Sequence, residues 1–251
     1  SFLGQKGHFD GHNIIDIIVQ QPATARFISR HLYNFFVADE PQVPAWQDTP
    51  PQDIAAIRML EEEYFRSNYE LTSMLRVLFN SEFFKKSRFT KVKSPAELVA
   101  GVMRLVDDFT APKPNIHEIT FASAYMGQDL LNPPTVEGWH TGKEWIDSGA
   151  LVERVNFASN QVGDPNKPGI RRIIERLTAI EGRMTPDLLV DSCLELIGPL
   201  RVEPLRRDYL LAHVRQGGDI SLSTVVEKKA FEVRVARLLE LIVSSREFQF
   251  A

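Results

Sequence analysis

Apolar residues in this chain recur every three or four positions, and proline stands in the first turn of several of the segments they form. This pattern constrains the fold most, because such a stripe buries one face of a helix and cannot serve a strand. Ser94-Pro95-Ala96-Glu97 is the clearest start. A serine followed three residues later by glutamate forms a capping box, and proline at the first helical position loses no useful N–H. Leu98, Val102, Leu105, Val106 and Phe109 then follow at helical spacing. Asn115-Ile116-His117-Glu118 repeats the capping logic and predicts a helix running toward Leu130-Leu131.

Other segments read the same way. Ile14, Ile15, Ile17 and Ile18 predict a short helix that stops at Pro22, and Pro22 opens the next one. There Ala25, Ile28, Leu32, Phe35 and Phe36 form one stripe, with Arg26, Arg30 and Tyr33 placed off it. Pro41, Pro44, Pro50 and Pro51 mark a connecting loop, followed by helices through Ile54–Tyr64 and Leu71–Leu78. Leu151, Val152, Val155 and Ala158 predict a further helix. Helices over 170–180, from Thr185-Pro186 to Ile197, over 205–214 and over 224–244 complete the pattern. No segment alternates convincingly as a strand. The expected fold is all-α: an irregular multi-helix bundle of about ten helices with long Pro/Gly-rich loops. Residues 1–160 read as a helical core carrying most of the motifs, 161–169 as a loop or linker, and 170–251 as a C-terminal helical subdomain. Leu75–Phe83 and Leu238–Phe248 also echo one another: a leucine-rich helix end, a polar stop, then a phenylalanine expected to fold back on the core.

Composition narrows the function classes. With 251 residues, 43% hydrophobic and 25% charged, the chain has enough apolar surface to fold. A net charge of −4 supplies no global attraction for nucleic acid. Apolar runs such as Leu241-Ile242-Val243 are too short to span a bilayer. Cys193 is the single cysteine, so no intrachain disulfide forms, and its helical neighbours mark it as a small core residue. The chain begins at Ser1 without a signal-like segment, and is expected to be a piece of a longer protein whose targeting signal lies elsewhere.

The segment Asn132–Trp145 (NPPTVEGWHTGKEW) stands apart, with two prolines, two glycines and two of the three tryptophans. Trp139, His140 and Trp145, with Arg154 and Asn156, form the candidate ligand-binding surface. Indole faces stack on sugar rings or cations, while Arg and Asn orient hydrogen bonds. The competing reading is a plug between helices, with Trp139 expected to be the structural residue and Arg154 and Asn156 tying down the loop. Lys85, Lys86, Arg88 and Lys91, among Phe83, Phe84 and Phe89, are the candidate anion-binding residues. Sulfated or phosphorylated polysaccharide suits them better than DNA, but a solvated loop is the favoured reading. His8, Asp10 and His12 have metal-ligand chemistry, but Asp10-Gly11 before a helix is also what a cap requires, and no metal or cofactor is expected. Glu97, Glu137 and Glu144 could supply paired carboxylates for glycoside hydrolysis, although Glu97 is already engaged by its capping box. No nucleophile elbow, P-loop or dinucleotide fingerprint occurs, and no catalytic residue is assigned.

Several motifs occur together in order: Gly7-His8-Phe9-Asp10-Gly11, Gln21-Pro22-Ala23-Thr24-Ala25-Arg26-Phe27, and Lys91-Val92-Lys93-Ser94-Pro95-Ala96-Glu97-Leu98. Gly127-Gln128, Pro133-Pro134, Glu137-Gly138-Trp139, Trp145, Arg154-Val155-Asn156 and Ser245-Arg246-Glu247-Phe248-Gln249 continue the series. In these the chain resembles a bacterial family, domain of unknown function 1800, over essentially its whole length, matching the C-terminal portion of a usual member. The resemblance implies an exported protein located outside the cytoplasm (periplasmic, envelope-associated or secreted). It also implies a possible partner in the family domain of unknown function 1501, which is related to sulfatases and alkaline phosphatases. It carries over no catalytic residues. The expected function is a non-catalytic interaction or scaffold module. The alternative is an enzyme or carbohydrate-binding protein acting on extracellular or envelope polysaccharide through the Trp139/Trp145 loop.

Overall fold

The structure is a computed structural model that describes residues 1–251 apart from Lys113, Asn115, Glu181 and Gly182. Among the described residues it is all-α, with twelve α-helices, three short 3-10 segments and no extended strand. The chain divides into two compact units, 1–91 and 92–251. This division lies elsewhere than the loop at 161–169, because the helices on either side of that loop share one core.

The first unit holds α1 (Gly11–Val19), α2 (Pro22–Phe36), α3 (Ile54–Arg66), α4 (Leu71–Asn80) and α5 (Glu82–Lys86). Asp10 starts α1 with a reciprocal cap: its carboxylate accepts from Asn13 N–H at 2.9 Å, and Asn13 Oδ1 accepts from Asp10 N–H at 3.1 Å. Only Ile17 of the four isoleucines on α1 is buried. The α2, α3 and α4 helices enclose a core of Ala25, Tyr33, Val37, Ile57, Leu60, Tyr64, Met74 and Leu78. Tyr64 also joins α3 to the end of α1 by donating to the Val19 carbonyl at 2.8 Å.

The inward face of α2 corrects the expected stripe. Ala25, Ser29, Arg30 and Tyr33 are buried, whereas Phe35 is exposed and Ile28, Leu32 and Phe36 only flank the core. Arg30 and Tyr33 are therefore core residues: Tyr33 joins the apolar cluster, while Arg30 is buried because its polar groups find partners, as the site geometry shows. Burial, aided by the nearby Asp53 and Glu40 carboxylates, pushes the Tyr33 phenol up to about 12.

The second unit contains α6 (Pro95–Val106), α7 (Glu118–Tyr125), α8 (Ser148–Val162), α9 (Pro168–Thr178), α10 (Pro186–Ile197), α11 (Pro204–Gln216) and α12 (Val225–Val243). α8 lies against both α6 and α12. One continuous apolar cluster, from Leu98 to Phe248, takes residues from both sides of the 161–169 segment. Gly169 is needed where α9 meets the end of α6, since a Cβ there would lie 1.9 Å from the Leu105 carbonyl oxygen. The Ser94 capping box forms as expected: Ser94 Oγ accepts from Glu97 N–H at 3.2 Å and Glu97 Oε2 from Ser94 N–H at 2.6 Å. Thr224 and Glu227 make a second box at α12. Cys193 is fully buried, and desolvation raises its thiol to about 12.

Two expectations change here. α7 ends at Tyr125 instead of reaching Leu131, because Gly127 and Leu131 adopt positive φ (95° and 65°) and turn the chain. The Asn115 cap lies outside the described residues. On α8, Leu151 and Val152 face solvent, and the buried face consists of Arg154, Ala158 and Val162. Phe248 folds back into the core as the repeated helix-end pattern suggests, and Phe83 packs on the core of the first unit.

Candidate functional site

The tryptophan segment follows α7 and is a chain of tight turns. Asp129 organises its first half, accepting from Asn132 Nδ2 at its carboxylate (2.9 Å) and from Trp139 Nε1 at its carbonyl (3.1 Å). Thr135–Gly138 then closes a four-residue turn in which Gly138 N–H donates to the Thr135 carbonyl at 3.1 Å. Thr135 Oγ1 donates to the Gly138 carbonyl and accepts from Glu137 N–H. Gly138 has φ of 103°, a backbone conformation that favours glycine. Val136 stands at the tip, fully exposed.

The two tryptophans exchange their expected roles. Trp145, in the 3-10 segment Gly142–Ile146 packed on α8, is buried at 7% exposure, whereas Trp139 is only half-buried. The structural plug is therefore Trp145. Trp139 sits between Gly138 and His140 in a turn region that keeps one edge tied to Asp129, so its ring is less enclosed. Exposed His140 pairs with Glu144 through Nδ1 and Oε2. Asn156 is exposed on α8.

Arg154 is fully buried and belongs to a different arrangement. Its Nε donates to Gln249 Oε1 at 2.8 Å and its Nη2 to the Lys93 carbonyl at 2.9 Å. Lys93 Nζ donates to the Phe248 carbonyl at 2.9 Å and lies 4.5 Å from the centre of the Phe248 ring. Lys93 N–H also donates to the Gln249 carbonyl at 2.9 Å. Burial lowers the Arg154 guanidinium to about 10, opposed by the Glu97 carboxylate. Burial, then the Arg154 charge, also lowers the Lys93 amine. Arg154 thus ties the C-terminal turn to the entrance of α6, instead of fixing the tryptophan loop. Three of the ordered motifs, around Lys93, Arg154 and Gln249, meet at this one guanidinium. The family model described as Protein of unknown function (DUF1800) matches residues 1–250.

The chain belongs to the DUF1800 family. Comparison with curated proteins and with solved structures found no match.

The remaining candidates of this DUF1800 protein are dispersed. Lys85 is exposed and paired with Glu82 at 2.9 Å, and Lys86 is exposed. Arg88 stacks over Phe89 at 4.7 Å and Lys91 over Phe35 at 5.7 Å. Phe83 and Phe84 turn inward against the core. His8 and His12 are exposed, and Asp10 is engaged in its cap. Among the described residues, no group of three or more His, Cys, Asp or Glu side chains converges as metal ligands. Glu97 is committed to its capping box and Glu137 is exposed.

Sequence reasoning missed a cleft in the first unit. It has a volume of about 390 Å³ and lies between α2, α3 and the loop at 46–51. Its inner wall is built on Arg30, whose Nε donates to Glu40 Oε2 at 2.8 Å and whose Nη1 donates to the Thr49 carbonyl at 2.8 Å. Nη2 also reaches the Pro50 carbonyl at 3.3 Å. The other Glu40 oxygen, Oε1, accepts from Gln52 N–H at 2.9 Å. Trp46 lies 4.7 Å from the Arg30 guanidinium, and its Nε1 donates to the Pro41 carbonyl at 2.7 Å. His31 and Phe27 pack on the Trp46 ring at 4.6 and 5.9 Å, and burial lowers the His31 imidazole. The available signal was the Arg26/Arg30 spacing on α2, which sets two guanidiniums one turn apart on one face.

Proposed function

We propose that this DUF1800 chain is a non-catalytic helical interaction module of an exported bacterial protein. Its partner in this reading is a sulfatase-like protein of the domain of unknown function 1501 family. The observation that carries it is the apolar side chains presented along α7 and the turns after it. Phe121, Tyr125 and Leu130 are exposed, while Leu131 and Val136 are 97% and 107% accessible. Isolated exposed apolar residues are ordinary, but several large ones along one short segment suit a protein interface. Leu131 has φ of 65°, uncommon for a residue with a branched side chain, and Val136 stands on a closed turn. Leu131 lies in the turn closed by the Asn132 N–H to the Asp129 carbonyl (3.1 Å), so both side chains are carried on hydrogen-bonded turns rather than supported by burial.

Reading the segment as a polysaccharide site has less support. Trp145 is buried, so one of the two aromatic platforms is withdrawn. The three glutamates do not share a setting: Glu97 is bound in its cap, Glu144 pairs with His140, and Glu137 is exposed on the turn.

The test mixes the purified chain with a purified protein of the proposed partner family and measures association by size-exclusion chromatography and calorimetry. The L131D/V136D double variant should keep the wild-type melting temperature and lose the complex. A wild-type chain that fails to associate, or a double variant that associates equally well, defeats the proposal.

A further inference from the structure

The cleft in the first unit is a formed site with its own chemistry, independent of the apolar segment after α7. Its size falls in the range of small-molecule pockets. The walls are tied together by hydrogen bonds and a ring contact. Trp46 is fixed by its Nε1 bond to Pro41 and by the Arg30 guanidinium, and Arg30 is held by Glu40 and the Thr49 and Pro50 carbonyls. On α3, Ile54, Ile57, Arg58 and Glu61 line the cleft at positions one turn apart.

Charges around the cleft balance. Arg30 is neutralised by Glu40 and Arg26 by Glu61, the latter pair 2.9 Å apart. That leaves the Arg58 and Asp48 side chains facing the cleft, each residue exposed and neither side chain engaged in an ion pair or hydrogen bond among the described residues. One offers only donors and the other, when ionised, only acceptors. A strongly charged ligand would meet its own sign at one of these two groups. A ligand whose every polar group both donates and accepts satisfies both. The same cleft is lined by the apolar surfaces of Trp46, Pro50, Pro51 and Ile54. A sugar ring combines hydroxyls of this dual character with apolar C–H faces.

We infer that the α2–α3 cleft binds an uncharged saccharide of one or two rings, with Asp48 accepting from and Arg58 donating to its hydroxyls against the Trp46 wall. This places carbohydrate recognition in the first unit instead of in the Trp139–Trp145 loop.

The Trp46 indole N–H, held against Pro41, gives a defined NMR reporter. The protein is titrated with glucose, galactose, mannose, N-acetylglucosamine and their disaccharides, and in parallel with galacturonate and sulfated glucosamine. At least one neutral sugar should shift the Trp46 indole resonance saturably, and the charged sugars should bind more weakly. Asp48→Asn and Arg58→Gln, both at exposed positions, should each weaken binding by about tenfold or more with unchanged melting temperature. The inference is overturned if no neutral sugar shifts the resonance, if a charged sugar binds as tightly as any neutral one, or if both variants bind like the wild type. Loss of the partner complex in the L131D/V136D variant leaves this result unaffected, so the two readings fail separately.

Discussion

Arg30 and Glu40 form an ion pair whose side chains are only 2% and 0% exposed, with Arg30 Nη2 2.7 Å from Glu40 Oε2. Taking both charges out of water is costly, and the pair persists because each has further partners: carbonyls for the guanidinium and the Gln52 N–H for the carboxylate. The arrangement also joins the middle of α2 to the proline-rich loop, so an electrostatic contact takes the place of apolar packing over a stretch with few core residues.

Removing one partner leaves the other buried and unpaired. Glu40→Leu and Arg30→Met should each destabilise the protein by about 3–5 kcal/mol in urea denaturation. The double variant should recover part of that loss. A single variant with a wild-type midpoint would show that the pair is solvated in solution.

The tryptophans should differ in the same experiment. Trp145→Ala removes a buried ring and should cost about 3–5 kcal/mol. Trp139→Ala should cost much less, because its ring is half-exposed and its Nε1 bond to Asp129 contributes only about 0.5–1.5 kcal/mol. Equal losses would contradict the burial difference.

Ser94→Ala deletes the acceptor for Glu97 N–H at the start of α6 and should lower stability by about 0.5–2 kcal/mol. Denaturation with an unchanged m-value would assign the loss to the folded state. No loss would mean that the box does not form in solution.

Gly169→Ala introduces a Cβ where the Leu105 carbonyl oxygen lies 1.9 Å away, so α9 must move off α6. A cost of about 1–3 kcal/mol is expected from such overpacking. A neutral effect on the thermal midpoint would show that the contact between the two helices is loose.

Cys193 gives a pH-dependent test. Its thiol is raised from the usual range to about 12 by burial, so the folded state holds the proton that the unfolded state releases. The contribution is fully present below the unfolded thiol pKa and is lost as pH rises above it. Stability of the wild type relative to Cys193→Ala should therefore fall on going from neutral to strongly alkaline pH. At pH 8 the native thiol should resist a disulfide reagent until the protein unfolds; rapid labelling of folded protein would place Cys193 at an accessible site.

What the sequence by itself determined was local. Helix starts at Ser94-Pro95 and Thr185-Pro186, the cap at Asp10, and the helical runs depend on residues within one or two turns of each other, and periodicity records them directly. The fate of individual polar and aromatic side chains was decided only by the tertiary structure. Arg154 is buried because Lys93 and Gln249, 61 and 95 residues away along the chain, supply its acceptors. Arg30 joins the inner face of α2 because a loop ten to twenty residues later returns a carboxylate and carbonyls to it. Trp145 and Trp139 share one aromatic segment, yet the 3-10 turn packed on α8 encloses the first, while turns bound to Asp129 leave the second half-open. Burial of a charge or a ring depends on what the fold brings to it from far along the chain, and local spacing holds no record of that.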